Sequence, residues 1–395
     1  MNKRNVNVGG FEDSLKIAVT CASGLEKTLK SEIKRLGYGE PSAENGTFIL
    51  EGKDALTVAR LNLNLRTADR VYIVLGEFPA ESFDELFDKV GEIPFENFIP
   101  EDGAVIVNGK CVKSKLFSIS DCQRIIKKSI AERLCGVYGV KRLSEDGAAY
   151  DIEFSVFKDI ARISLNTSGA GLHKRGYRDM VGIAPIRETL AAGLVLMSDF
   201  YKDRTFADPF CGSGTIAIEA AKIALNIAGG AGRRFAFEEW TDFNAKYLKL
   251  AKEEAKDKER RGEKVKIFAS DIDPKAIKLA KRHAERAGVT DKIEFSVYDV
   301  AKFKPFGEYG TIVTNPPYGE RVYDKEEAEA CYKKLSSVLR GKDGWSLFLI
   351  TAAKNFEKAF GKRADREKKL FNANKECRFY YYYGIRPPKG DLTAE

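Results

Sequence analysis

Four β-like runs in the second half of this chain each end on a polar residue, and the order of those ends constrains the fold more than any other feature. Residues 205–208 end at Asp208, residues 265–271 at Asp271, residues 293–298 run up to Asp299, and residues 311–313 lead through Thr314 to Asn315. Helical patterns follow the first two, Ile216 to Ala221 and then Ala276, Ile277, Leu279, Ala280, His283, Ala284 and Ala287. This alternation predicts an open α/β sheet, in which ligands lie outside the carboxyl ends of the strands. One carboxylate after a strand is more often a helix N-cap than a ligand. The ordered set fits one cofactor and one target group on the same sheet edge.

The turn Asp208-Pro209-Phe210-Cys211-Gly212-Ser213-Gly214-Thr215 carries glycines that let the backbone approach a ligand closely. It lacks the full G-x-G-x-x-G fingerprint, and no G-x-x-x-x-G-K-[ST] loop occurs, which argues against a dinucleotide or nucleoside triphosphate. S-adenosylmethionine has no phosphates and carries an ammonium and a sulfonium. An acid such as Asp208 at the strand end suits it better than a helix N-terminus offering only donors. Asp271 is placed to hold a ribose diol, Ile272 to pack on adenine, and Asp299 to accept from the adenine amine.

Thr314-Asn315-Pro316-Pro317-Tyr318-Gly319 supplies the second half of the chemistry. A nucleobase amine is a poor nucleophile, because its lone pair is delocalised into the ring. The Asn315 side-chain oxygen and the Pro316 carbonyl would each accept from that amine and fix its lone pair toward an electrophilic methyl, with no ionised base required. Pro316 and Pro317 stiffen the loop, and Tyr318 offers a flat face to an extruded base. Read as a lone motif, an ordinary Asn-Pro turn fits as well.

With these segments on the page, the chain resembles the class I S-adenosylmethionine-dependent RNA methyltransferases with an N-terminal THUMP domain. It is most similar to the bacterial 23S rRNA guanine-N2 methyltransferases, whose relatives are often labelled N6-adenine-specific DNA methylases for the shared Asn-Pro-Pro-Tyr signature. The resemblance rests on residues 208–215, 270–274 and 314–319, which mark the class, and on residues 172–178, 185–195 and 376–380, which are closer to the family. It implies a Rossmann-like seven-stranded α/β domain preceded by an α+β ferredoxin-like and THUMP region that holds structured RNA. It assigns Asp208, Pro209, Gly212, Gly214, Thr215, Asp271, Ile272 and Asp299 to the cofactor and Asn315, Pro316, Pro317 and Tyr318 to the target base. The implied division is residues 1–60 ferredoxin-like, 61–167 THUMP, 168–184 linker and 185–395 methyltransferase. The long gap between Thr215 and Asp271, filled by residues 226–240 and a charged helical run, reads as a family insertion.

Pattern alone gives the N-terminal part as a second α+β domain, with strands at residues 16–20, 47–50, 71–75, 104–107, 151–157 and 160–165 and helices at 25–36, 54–65 and 120–134. Near the C-terminus, a helix at 326–339, a strand at 345–351 and paired strands at 369–371 and 378–383 complete the catalytic sheet. In the aromatic run 379–383, strand alternation predicts that about half the side chains enter the core.

The formal charge is +8, of the sign a nucleic-acid partner requires. Lys110, Lys113, Lys115, Arg124, Lys127, Lys128 and Arg133 form one basic cluster, His173, Lys174, Arg175, Tyr177 and Arg178 a second, and residues 354–369 a third. Of these, Lys113, Lys115, Arg124, Lys128, His173, Lys174, Arg175, Tyr177 and Arg178 are the expected RNA contacts. Seven scattered cysteines without a C-x-x-C pair predict free thiols, a reducing cytoplasm and no structural zinc. The two histidines, His173 and His283, support neither a metal site nor a triad. No apolar run of membrane-spanning length occurs, and the first twenty residues lack a signal-peptide core. Cys211 lies in the cofactor turn rather than beside the target loop, which argues against C5-pyrimidine methylation by a cysteine nucleophile. Adenine-N6 methylation of DNA, tRNA guanine-N2 methylation and a non-catalytic ribosome-assembly role stay open; an NAD-dependent oxidoreductase is disfavoured by the missing third glycine.

Overall fold

The computed structural model describes residues 10–44, 46–178, 186–201, 204–319 and 322–387, which fall into two compact units. Of the expected linker, residues 179–184 lie outside the described residues, as does Pro185 at the head of the expected helix 185–195.

The N-terminal elements run β1 (Leu15–Cys21), α1 (Glu26–Arg35), β2 (Ser42–Glu44), β3 (Thr47–Gly52), α2 (Ala55–Asn64), β4 (Ala68–Pro79), α3 (Phe83–Gly91), β5 (Ala104–Val112), α4 (Ile119–Tyr138), β6 (Ala149–Phe157) and β7 (Ile160–Asn166). Their strands form one seven-stranded sheet in the order β2-β3-β1-β4-β7-β6-β5. Period-two patterning buries one face: Tyr150, Ile152, Phe154 and Val156 of β6 are buried, whereas Asp151, Glu153 and Ser155 between them are only partly covered. Asp54 caps α2 by accepting from the Thr57 amide, and Gly139 at φ +69° ends α4. The expected junction between residues 60 and 61 falls inside α2, where Val58 and Leu61 are fully buried, so no domain boundary lies there. β4 carries the sheet onward instead, pairing with β1 on one side and β7 on the other.

Residues 233–255 belong to this first unit, although the expected methyltransferase domain, residues 185–395, contains them. Aromatic packing is the reason. Trp240 stacks on Tyr150 with ring centroids 5.1 Å apart and donates from Nε1 to the Ala149 carbonyl at 3.0 Å, while Phe11 packs 5.7 Å from Trp240.

The remaining elements are α5 (Glu188–Met197), β8 (Thr205–Asp208), α6 (Thr215–Ala224), α7 (Ala245–Asp257), β9 (Ile267–Asp271), α8 (Pro274–Arg286), β10 (Ile293–Val297), β11 (Gly310–Thr314), α9 (Val322–Leu339), β12 (Trp345–Thr351), α10 (Phe356–Phe360), β13 (Arg366–Asn372) and β14 (Lys375–Tyr382). The second unit's sheet has the order β10-β9-β8-β11-β12-β14-β13, with β14 antiparallel to both neighbours and the other pairs parallel. Strand order therefore reverses between β8 and β11, the crevice where open α/β sheets bind ligands.

The aromatic run departs from its expected alternation. Phe379, Tyr380, Tyr381 and Tyr382 are all buried and only Tyr383 is half exposed. Apolar partners on both faces take up both parities: Phe356 packs on Tyr380, and Phe348 on Tyr381. Among the described residues, no helix is long and apolar enough to cross a membrane.

Candidate active site

The carboxyl ends of β8 and β11 bring the two predicted motifs together. β11 pairs in parallel with β8, placing Ile312 opposite Ala207. Thr314 Oγ1 then donates to Asp208 Oδ1 at 2.7 Å, and both residues are buried. Asp208 Oδ1 also accepts from the Phe210 amide at 3.3 Å, whereas its buried Oδ2 has no hydrogen-bond partner. Burial pushes the carboxyl up to about 7, with the Thr314 and Phe210 hydrogen bonds pulling the other way. A buried acceptor without a donor calls for a positive group, and the ammonium and sulfonium of S-adenosylmethionine supply that chemistry.

The glycines of the turn serve different purposes. Gly212 sits at φ +50° with open space where a side chain would project, and its amide donates to Asp271 Oδ2 at 3.0 Å. Gly214, at φ +82°, begins α6, and an added Cβ would stand 3.0 Å from Ala280 Cβ of α8. The first glycine leaves room for a ligand; the second lets two helices close up. Pro209 and Thr215 are buried and shape the turn's two ends.

Asp271 accepts from two backbone amides, Gly212 through Oδ2 and Asp273 through Oδ1, each at 3.0 Å. A carboxylate has about four lone-pair sites, so capacity for a diol remains. Ile272 is 66% exposed, a large apolar side chain left in the open beside that carboxylate, as an adenine-packing residue would be. Asp299 caps a 3-10 turn through the Ala301 amide at 2.8 Å and pairs with Lys334 of α9 at 2.7 Å, which holds its carboxyl below the usual range. These contacts bring Asp208, Gly212 and Asp271 into one connected edge, with Asp299 at the end of the neighbouring strand β10.

The target-base loop differs from its expected geometry in one respect. Asn315 Oδ1, the expected amine acceptor, already accepts the Tyr318 hydroxyl at 2.6 Å. The Tyr318 ring is not an open platform, since Lys375 Nζ lies over it at 5.0 Å from the centroid. Burial and Cys377, whose thiol stands 3.8 Å from the hydroxyl, raise the phenol far above its ordinary value. Behind the loop, the Tyr332 hydroxyl donates to the Pro317 carbonyl at 2.7 Å. Cys211 is buried and its thiol is held far up by desolvation, so it is no nucleophile.

The second basic cluster requires correction. Arg175 and Tyr177 are 1% and 3% exposed, so neither reaches a phosphate. Arg175 pairs with Glu219 of α6 at 3.8 Å, and the Tyr177 hydroxyl donates to the same carboxylate at 3.0 Å. Arg178 pairs with Glu188 at 3.1 Å and donates to the Ile186 carbonyl. The segment is a buried strap, because Glu219 and Glu188, both buried on helices, need positive or donating partners. Of the five, only Lys174 is exposed; His173 and Arg178 are half-buried. In the first cluster Lys115, Arg124 and Lys128 pair at the surface with Glu81, Asp121 and Glu132, contacts weak enough to yield to phosphate, and Lys113 is exposed at φ +52°.

Sequence reasoning missed several neighbours of the site. His283 is fully buried, and its Nδ1 lies 3.1 Å from the Ser213 carbonyl in the cofactor turn. Its place on the apolar stripe of α8 was the available signal. Lys334, Lys375 and Cys377 carried none, because each meets the site only through tertiary packing.

A reversed α/β sheet with an acid at the end of its first strand and an Asn-Pro-Pro-Tyr loop one strand away defines a class I methyltransferase. The match is specific: residues 175–380 fit the "RMKL-like, methyltransferase domain" family, residues 16–72 the "RlmL ferredoxin-like domain" and residues 80–166 the "THUMP domain". The chain belongs to this RMKL-like methyltransferase family. It is 45% identical over 376 residues to "Putative RNA methyltransferase YpsC" of Bacillus subtilis (strain 168), covering 94% of this chain and 97% of that protein. The crystal structure of "a predicted N6-adenine-specific DNA methylase from Listeria monocytogenes str. 4b F2365" superposes with a TM-score of 0.90 at 44% identity, over 94% of this chain and 97% of that one. A second, "SMU.472, a putative methyltransferase complexed with SAH", gives 0.89 at 36% identity over 95% and 99%.

Proposed function

We propose that this protein transfers a methyl group from S-adenosylmethionine to the exocyclic N2 amine of guanosine in structured RNA, with 23S rRNA as the substrate, in the cytoplasm. The observation that carries the reading is the Thr314–Asp208 hydrogen bond, which ties the amine-accepting loop to the cofactor acid across adjacent parallel strands. Asp208, Asp271, Ile272 and Asp299 would hold the cofactor, which when bound supplies the electrophilic methyl. Asn315 Oδ1 and the Pro316 carbonyl accept from the amine and turn its lone pair toward that methyl. Burial of Asp208 and Thr314 keeps bulk water from competing for these contacts. A base within a helix must be extruded to reach the loop.

RNA as substrate is supported by the THUMP match and by the name of the Bacillus relative. Lys113, Lys115, Arg124, Lys128 and Lys174 are the accessible cations that would meet its backbone. The name of the Listeria relative favours a second reading, adenine-N6 methylation of DNA, because the same acceptors serve either amine.

Methyl transfer from radiolabelled S-adenosylmethionine to total RNA and to genomic DNA, both from cells lacking the protein, separates the two after nucleoside analysis. The expected result is label in N2-methylguanosine, lost in Asn315→Ala. Label in N6-methyladenine of DNA alone overturns the reading. Absence of label with RNA binding intact favours an assembly factor.

A further inference from the structure

The acceptor intended for the substrate is held by the protein's own Tyr318, and what holds Tyr318 is a hairpin that the cofactor and loop motifs do not include. β13 and β14 pair in register with Asn372 opposite Lys375, so only Ala373 and Asn374 turn the chain. Ala373 takes φ +54°, a conformation unfavourable for any side chain but glycine, asparagine or aspartate, as tight two-residue turns demand. The turn sets Lys375 Nζ over the Tyr318 ring, the Asn372 side chain beside the Tyr318 hydroxyl, and buried Cys377 on the other arm 3.8 Å from that hydroxyl.

The Tyr318 hydroxyl marks where a substrate amine must arrive, since it occupies Asn315 Oδ1 at 2.6 Å. A base whose amine replaces it arrives beside the Tyr318 ring, over which the Lys375 ammonium stands 5.0 Å from the centroid. On guanine, the edge that begins at the N2 amine ends at O6, an acceptor. On adenine, the edge that begins at N6 ends at a C–H. A lysine offers three donors and no acceptor, so it favours the first edge and gains nothing from the second.

We propose that Lys375 is a specificity-determining residue, donating to O6 of the target guanine and thereby selecting it over adenine. The inference rests on the proposed guanine-N2 activity. It adds a second contact on the target base, made from a different strand than the catalytic loop. Lys375 acts on base choice and transition-state orientation; it does not take part in cofactor binding.

The test is a double-mutant cycle on a transcript carrying the guanosine mapped by nucleoside analysis. Wild type and Lys375→Met are each assayed on that transcript and on one with 2-aminopurine at the same position, which keeps the N2 amine and lacks O6. Wild type is expected to lose about tenfold in kcat/KM on 2-aminopurine, and Lys375→Met to lose about the same on guanosine. Combining the two should cost no more than either alone. Affinity for S-adenosylmethionine and for the transcript, measured directly, stays within about twofold, which also reports that the variant is folded. Independent, multiplying losses overturn the inference alone. So does a fall in transcript affinity with a shallower salt dependence, which would make Lys375 a phosphate contact. If the wild type labels N6-methyladenine instead, the proposed function falls, and the role of Lys375 with it.

Discussion

Thr314 Oγ1 donates to Asp208 Oδ1 at 2.7 Å, so the strand that leads into the target-base loop is fastened to the acid that awaits the cofactor. Replacing Thr314 with valine removes the donor and keeps the shape. Asp208 then keeps only the Phe210 amide as a donor to Oδ1, and its carboxyl rises further. Stability should fall by about 1–3 kcal/mol, as for a buried polar group left short of a partner. Urea denaturation of the variant and calorimetric titration with S-adenosylmethionine check this; weakened cofactor affinity is expected alongside the lower midpoint.

The buried Asp208 sets a pH dependence whose sign is fixed. Its folded-state value, about 7, lies above the ordinary 3.8, so the folded protein binds a proton more readily than the unfolded chain between those values. This contribution to stability is fully present below about pH 4 and is lost as pH rises through about 7. Thermal melts of the ligand-free protein across that window should show the loss, and Asp208→Asn should remove this component. Cofactor affinity in the wild type should run the opposite way, rising through about pH 7, since a cationic ligand prefers the carboxylate.

Gly212 and Gly214 should fail differently when changed to alanine. Both have positive φ, but only Gly214 also meets Ala280 at 3.0 Å. Gly214→Ala should therefore cost more stability than Gly212→Ala, which should act chiefly on cofactor affinity. Paired denaturation and titration of the two variants distinguish the effects, on the order of 1–2 kcal/mol for backbone strain alone.

The buried strap gives a prediction opposite to that for a nucleic-acid contact. Arg175→Met leaves Glu219 buried with fewer partners and should destabilise the fold by about 3–5 kcal/mol. Lys174→Gln, on an exposed side chain, should leave stability nearly unchanged. It should instead lower the slope of log affinity for RNA against log salt by about one. Chemical denaturation and salt-dependent anisotropy measure the pair.

Asn315→Ala should leave cofactor affinity intact and lower kcat by about a hundredfold or more, the usual scale for removing one polar group aimed at the reacting centre. Steady-state kinetics with an independent binding measurement check it.

The sequence by itself determined the catalytic sheet and the chemistry at its edge. Strands, turn glycines and caps are local, so 205–208, 208–215 and 314–319 could be read without knowing what surrounds them. Partners were not local. Nothing in the spacing of His173 to Arg178 distinguishes a solvated cation from one that neutralises Glu219, and only packing against α6 decided that Arg175 and Tyr177 are interior. The same holds for residues 233–255, which the chain order places in one domain and aromatic packing places with the other unit. Burial of the aromatic run depended on whether the sheet is covered on one face or two. Tertiary structure alone set Lys375 over Tyr318, because a hairpin register brings together residues whose sequence neighbours say nothing of each other.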